Sequence, residues 1–136
     1  MEYNSWTLLD GTHVEDSHAV GHVGFVYLIT APSGRMYVGK KKFWTIKTRS
    51  VNKKKKKEKV HSDWREYYGS NKELQDDVIS LGCDKFKREI LYLCKTLGEC
   101  SYLEAKEQFL REVLLSDCYY NQFIGCKIHA KHLPKV

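Results

Sequence analysis

Three consecutive stretches decide the fold: Val23-Gly-Phe-Val-Tyr-Leu-Ile-Thr30, then Ala31-Pro-Ser-Gly-Arg35, then Met36-Tyr-Val-Gly39. The first is rich in β-branched and aromatic residues and reads as a buried strand. The second is a turn, with Pro32 and Ser33 suited to the centre of a type I turn and Gly34 to the left-handed position after it. The third is the returning strand. A three-residue loop of this kind pairs Ala31 with Arg35, Ile29 with Tyr37, and Tyr27 with Gly39. Tyr27 and Tyr37 then point to one face of the sheet, whereas a two-residue loop would put them on opposite faces.

Downstream, Lys40–Lys59 is a basic segment whose start, Phe43–Thr48, is expected to begin a helix, with Lys53–Lys57 as a mobile loop. Ser70 and Glu73 form a capping-box pattern for a helix bearing Leu74, Val78 and Leu81 on one face and closed by Gly82. Phe86–Cys94 is a third strand. Ser101 and Glu104 repeat the capping-box pattern, opening a helix to about Ser116 with Leu103, Leu110, Val113 and Leu114 as its apolar stripe. Cys118–Ile124 reads as extended. The expected architecture is a small α/β (α+β) domain, with a three-stranded, mainly antiparallel sheet flanked by helices. Upstream, residues 1–22 are polar and show no sustained period, so they read as an arm or a loosely attached strand. The domain spans 23–124 with a basic insert at about 40–60, and 125–136 is a basic tail.

The chain has 136 residues and 42% hydrophobic residues, enough for one core and too short for two. No apolar stretch is long enough to span a bilayer. The polar, acidic start resembles neither a signal nor a transit peptide, so a cytoplasmic location is expected. Five cysteines without a CxxC pair argue against a disulfide framework. Cys118, Cys126, His129 and His132 are zinc-ligand types at a spacing that matches no familiar zinc module.

Charge is unevenly spread. The net charge is +6, but the window Arg35–Arg65 carries +11 and the remainder −5. A basic segment interleaved with aromatic residues on an acidic remainder is the footprint of a polyanion partner. Lys40, Lys42, Lys47, Lys53, Lys54, Lys55, Lys56, Lys57, Lys59 and Arg65 are the expected DNA contacts. The competing reading is a solvated lysine loop or a transport address.

Phe25-Val-Tyr27 and Tyr37-Val-Gly39, with Arg49, Leu103-Glu104-Ala105 and Tyr120-Asn121 after them, resemble the ordered motifs of the GIY-YIG nuclease superfamily. Asp63-Trp-Arg-Glu-Tyr-Tyr-Gly-Ser70 and Phe86-Lys-Arg-Glu-Ile-Leu91 look closest to its Seg-type group of phage, homing-like endonucleases. The resemblance covers 23–121 and implies metal-dependent hydrolysis of phosphodiester bonds in double-stranded DNA, in the host cytoplasm if the chain is phage-encoded. By resemblance, Tyr27 orients the attacking water or takes its proton and Tyr37 positions it. Arg49 lies on the first helix and binds phosphate, Tyr68 is favoured over Tyr67 and His61 as a further site residue, and Asn121 closes the site. Glu104 is the Mg²⁺ (or Mn²⁺) ligand.

The chemistry agrees. One carboxylate holds one Mg²⁺ when water and phosphate fill its other positions, and an arginine fork suits phosphate. Nearby Lys41 and Arg49 would lower a tyrosine pKa by favouring phenolate. Each residue also has a plain reading: packed strand tyrosines, a solvated arginine, a turn asparagine, and Glu104 as a helix cap.

Three departures from the family pattern stand out. Phe25 replaces a glycine, the Arg49–Tyr68 interval is enlarged, and only 15 residues follow Asn121, where homing members carry a separate DNA-binding domain. Specificity would then come from the basic segment, the arm, a homodimer or a protein partner. The alternative function is a catalytically silent nucleic-acid-binding module of the same fold.

Overall fold

The structure is a computed structural model that describes residues 3–125, 127 and 130–133. Strands β2 (Gly24–Thr30) and β3 (Met36–Lys42) form the expected hairpin in the expected register, with Tyr27 opposite Gly39 and Ile29 opposite Tyr37. Its loop closes by Ala31 N–H donating to the Arg35 carbonyl (2.8 Å) and Gly34 N–H to the Ala31 carbonyl (2.9 Å). Gly34 has φ +91°, which a side chain would resist. On its other side β2 pairs antiparallel with β6 (Lys87–Cys94). As the central strand, β2 is buried on both faces, which is why its sequence is a continuous apolar run rather than an alternating one.

One face carries an aromatic core of Trp6, Phe25, Tyr27, Phe43, Trp64 and Phe86. The other packs Val26, Leu28 and Val38 under helix α3 (Leu97–Leu110) through Cys100 and Val113. The arm is part of this body. Residues Thr7–Leu8 form a short strand, β1, that joins β6 in parallel and makes the sheet four-stranded, in the order β1-β6-β2-β3. Ahead of it, Trp6 is 2% exposed and donates from Nε1 to the Trp64 carbonyl (2.7 Å). The ring of Phe25, where the family has glycine, is filled in by Trp6 at 5.0 Å and Phe43 at 4.8 Å. A one-turn helix, α1 (Asp16–Ala19), leads from the arm to β2.

Phe43–Thr48 does not start a helix, and the lysine run is not an irregular loop. They are the two sides of a hairpin, β4 (Trp44–Val51) and β5 (Lys54–His61), paired from Trp44–His61 to Val51–Lys54. Asn52 and Lys53, at φ +50° and +63°, make the two-residue type I′ turn that suits strand twist. The hairpin is anchored at its base. Trp44 stacks on His61 at 4.3 Å and donates to the carbonyls of Ala19 and His22.

Helix α2 (Lys72–Leu81) is capped by Asn71, whose Oδ1 accepts from Leu74 N–H (2.9 Å), not by Ser70. Glu73 turns outward to an ion pair with Arg35. Likewise α3 begins at Thr96, whose Oγ1 accepts from Glu99 N–H (3.0 Å), five residues before the expected Ser101 start. It also ends earlier, at Leu110. Val113 is buried as expected, but Leu110 and Leu114 are exposed. The segment after α3 returns alongside β3: Met36 N–H donates to the Cys118 carbonyl and Tyr120 N–H to the Met36 carbonyl, both 2.8 Å. Of the zinc-type residues, Cys126 and His129 lie outside the described set. Among the described residues, no group of three His, Cys, Asp or Glu side chains gathers and no helix is long and apolar enough to cross a membrane.

Candidate active site

Strand β3 is the outer strand of the sheet, and among the described residues the C-terminal segment meets its edge at Met36–Val38. Asn121 belongs to that contact. Its Oδ1 accepts from Val38 N–H (3.1 Å) and its Nδ2 donates to the Val38 carbonyl (2.8 Å), as Gln108 Nε2 also does (3.1 Å). Asn121 is 8% exposed and its amide is occupied by backbone, so it holds β3 in place. The site opens just beyond, at Gly39 and Lys40.

From the aromatic face, the Tyr27 ring lies directly over Gly39. A Cβ there would sit 2.6 Å from Tyr27 Cζ and 3.0 Å from Tyr37 Cε2, so only glycine lets the two tyrosines close over the strand. Their ring centroids are 6.2 Å apart. Tyr67 completes the cluster at 6.0 Å from Tyr27, edge to face. Tyr37 reaches Ser70, with 3.2 Å between hydroxyl oxygens. Burial raises the Tyr27 pKa well above the ordinary tyrosine value, helped by Tyr67, Tyr37 and the charge of Glu104. The expected lowering by cations does not occur. Lys41 bonds Asp63 (2.5 Å) and lies 4.0 Å over the Tyr67 ring, and Arg49 is far out on β4.

From the helical face comes Glu104. It lies mid-helix, so it is not a cap; Thr96 and Glu99 do that work. It is partly buried, and burial raises its pKa, opposed by the charge of Lys40 and a hydrogen bond from Lys40 N–H. Lys40 Nζ also bonds Ser101 Oγ (2.6 Å). Tyr37, Lys40, Ser70, Glu104 and Asn121 line one cleft of about 420 Å³. A larger groove of about 800 Å³, lined by Lys40, Lys41, Lys42, Trp44, Leu97 and Ser101, meets it at Lys40.

Among the sequence-derived residues, the structure thus gathers Tyr27, Tyr37, Glu104 and Asn121, with Lys41 behind Tyr67. Two it does not bring in. Arg49 is an exposed strand residue 3.8 Å from Glu58, because the segment expected to be helical is a hairpin. Tyr68 points into the core: it donates to the Cys83 carbonyl (3.0 Å), accepts from Asn4 N–H (3.2 Å) and lies under the Arg88 guanidinium at 4.2 Å. Its neighbour Tyr67 is the tyrosine that packs against Tyr27.

The sequence reading missed two features here. Lys40 lines the cleft as well as the larger groove, a placement that strand alternation after Gly39 signals by setting it opposite in direction to Lys41. Arg88, 1% exposed, donates to the carbonyls of Tyr67 (2.9 Å) and Asn4, which ties the arm to the Tyr67 loop. Burial lowers its pKa to about 10. Among the expected DNA contacts, Arg65 is engaged by Asp16 (2.8 Å), while Lys42, Lys47, Lys53–Lys57 and Lys59 are exposed.

Residues 6–124 match the family described as "Putative endonuclease segE, GIY-YIG domain". The chain belongs to that family. No curated protein and no solved structure is significantly similar to it. A SegE-type GIY-YIG domain is an endonuclease domain, and nucleic acid is its substrate. This GIY-YIG chain holds its two motif tyrosines on one face of a hairpin, with Glu104 beyond the strand edge.

Proposed function

We propose that the chain is an endonuclease that uses Mg²⁺ or Mn²⁺ to hydrolyse phosphodiester bonds of double-stranded DNA at the Tyr37–Lys40–Glu104 cleft. The observation that carries this reading is Glu104. It is a partly buried carboxylate with no capping duty, it lines a cleft with a tyrosine and a lysine, and burial opposes its ionisation. A cation would relieve that cost. With no cluster of three ligands among the described residues, the site suits a hard, largely hydrated ion held by one carboxylate. When bound, such an ion supplies Lewis-acid polarisation of the phosphate and the leaving oxygen.

The chain's own residues do the rest. Lys40, exposed at the junction of the two grooves, neutralises the phosphate in the place expected of Arg49. Tyr37 presents its hydroxyl in the cleft to orient the attacking water. Tyr27, kept neutral by burial and packed against Tyr67, fixes Tyr37 from behind and is a poor proton acceptor. Asn121 holds the strand beneath them.

The test is incubation with supercoiled plasmid and Mg²⁺, wild type against Glu104→Ala. Nicked or linear product from the wild type alone supports the reading. A second reading, a nucleic-acid-binding module without cleavage, is favoured by the exclusion of Arg49 from the cleft. It predicts a gel shift with no product from either protein.

A further inference from the structure

The β4–β5 hairpin is the one large element of the described chain with no face in either core. All but its base residues and Val51 beside the turn are exposed, Ile46 by 60%. A two-stranded hairpin without a packed face is marginal in water, and its own charges oppose it. Arg49 lies directly across from Lys56, and one face carries Lys55, Lys57 and Lys59. Like charges opposite one another destabilise a strand pair. Yet the turn is the tight type I′ form, and the base is pinned by Trp44, His61 and Trp64. A well-formed ribbon that weakens itself with charge is shaped for a polyanion. Both faces are cationic: Lys47, Arg49, Lys54 and Lys56 flank a single acid, Glu58, on the other.

We infer that this ribbon inserts into the major groove of B-form DNA. With side chains, a two-stranded ribbon is about 10 Å thick. The major groove, about 12 Å wide, admits it, and the minor groove, about 6 Å, does not. The short side chains Thr48 and Ser50 sit opposite Lys57 and Lys55, leaving space for base edges to approach. The deep, narrow major groove of duplex RNA excludes such a ribbon, so the substrate is DNA rather than RNA. The ribbon continues from β3 through Phe43 alone, and β3 carries Gly39 and Lys40. Eight residues per strand reach about 26 Å, or about 8 base pairs at 3.4 Å each. The bases it reads therefore lie within about one helical turn of the cut.

The inference rests on the double-stranded DNA reading, and dimethyl sulfate footprinting separates the two. The wild type is bound to a short synthetic duplex in EDTA, with plasmid cleavage in Mg²⁺ measured in parallel. Guanine N7 faces the major groove and adenine N3 the minor. The expected result is protection of guanine N7, with adenine N3 unchanged and duplex RNA competing at least about 10-fold worse. A variant with Lys54→Gln, Lys55→Gln, Lys56→Gln and Lys57→Gln, checked for an unchanged circular dichroism spectrum, loses the protection. Protection confined to adenine N3, N7 protection that survives in the variant, or equal competition by duplex RNA overturns the inference. Plasmid cleavage without N7 protection refutes the ribbon alone, and N7 protection without cleavage refutes the nuclease alone.

Discussion

Gly39→Ala is the sharpest perturbation of the site, because one methyl group meets both motif tyrosines at once. The added Cβ would stand 2.6 Å from Tyr27 Cζ and 3.0 Å from Tyr37 Cε2, against ordinary contacts near 3.4–4 Å. Tyr27 cannot retreat: it is 1% exposed and boxed by Trp6 at 5.3 Å, Tyr67 at 6.0 Å and Phe25 at 6.1 Å. Overpacking of this kind costs about 1–3 kcal/mol. For a domain of this size each kcal/mol lowers the melting temperature by roughly 3–5 °C. The rings must also shift by a few tenths of an ångström or more, and misplacement approaching 1 Å costs about 10²-fold in rate.

Thermal unfolding by circular dichroism and plasmid nicking on the same preparation give the two numbers. Repeating both in a Tyr27→Phe background relieves the clash at the hydroxyl but not at Cζ. The two substitutions should therefore couple by about 0.5–3 kcal/mol. A Gly39→Ala protein that melts within about 1 °C of wild type and nicks at full rate would show that the tyrosines do not close over this strand.

Glu104→Gln should keep the fold, with stability at pH 7 equal or higher. Because the carboxyl pKa is raised in the folded state, its favourable contribution exists at low pH and is lost as pH rises through that pKa. Nicking by this variant should fall about 10²-fold or more. At sub-saturating Mg²⁺ wild-type nicking should decline in acid, and raising Mg²⁺ should move the decline to lower pH because the cation competes with the proton for this carboxylate; a decline unmoved by Mg²⁺ would exclude Glu104 as the controlling group. Asn121→Ala strips Val38 N–H of its partner and should cost about 1–3 kcal/mol in denaturant unfolding. Tyr67→Phe should slow nicking more than it destabilises, whereas Tyr68→Phe should lower stability by about 1 kcal/mol and leave nicking unchanged, since its hydroxyl serves Cys83 and Asn4.

The sequence was most legible where local chemistry alone sets geometry. Pro32-Ser33-Gly34 defines its turn, the turn defines the register, and the register places Tyr27 and Tyr37 on one face. It was least legible where distant partners decide. Nothing near Trp6 announces that its ring fills the space beside Phe25, or that Leu8 pairs with Ile90. The β4–β5 hairpin was hidden because lysine is a poor strand former and the run has no apolar face, whereas Trp44-Thr-Ile-Lys-Thr-Arg-Ser-Val alternates with β-branched residues and was open to a strand reading. Helix caps were misplaced by one residue at Asn71 and five at Thr96, since several Ser, Thr and Asn side chains compete for the role and packing selects among them. Glu104 is the instructive case. The capping-box pattern was satisfied in sequence, and the helix simply began earlier, which left the carboxylate free for the cleft.

The hold of Asn121 on Val38 has a consequence for synthesis. These residues are 83 positions apart in the chain, and Asn4 meets Asp84 across 80. Contacts of that span form late, after the loop between them has closed. A nascent chain emerging from the ribosome can fold its β2–β3 hairpin early, but the edge of β3 stays unclamped until Asn121 has cleared the exit tunnel. The cleft beside Tyr37 and Glu104 is then among the last parts to become ordered, and on the nuclease reading unfinished chains do no harm to the nucleic acid around them. Ribosome-bound chains truncated before Cys118 and carried clear of the tunnel by an added flexible linker should be inert on plasmid, while chains extending through residue 125 on the same linker cut it, and equal cutting by both would show that the clamp is dispensable.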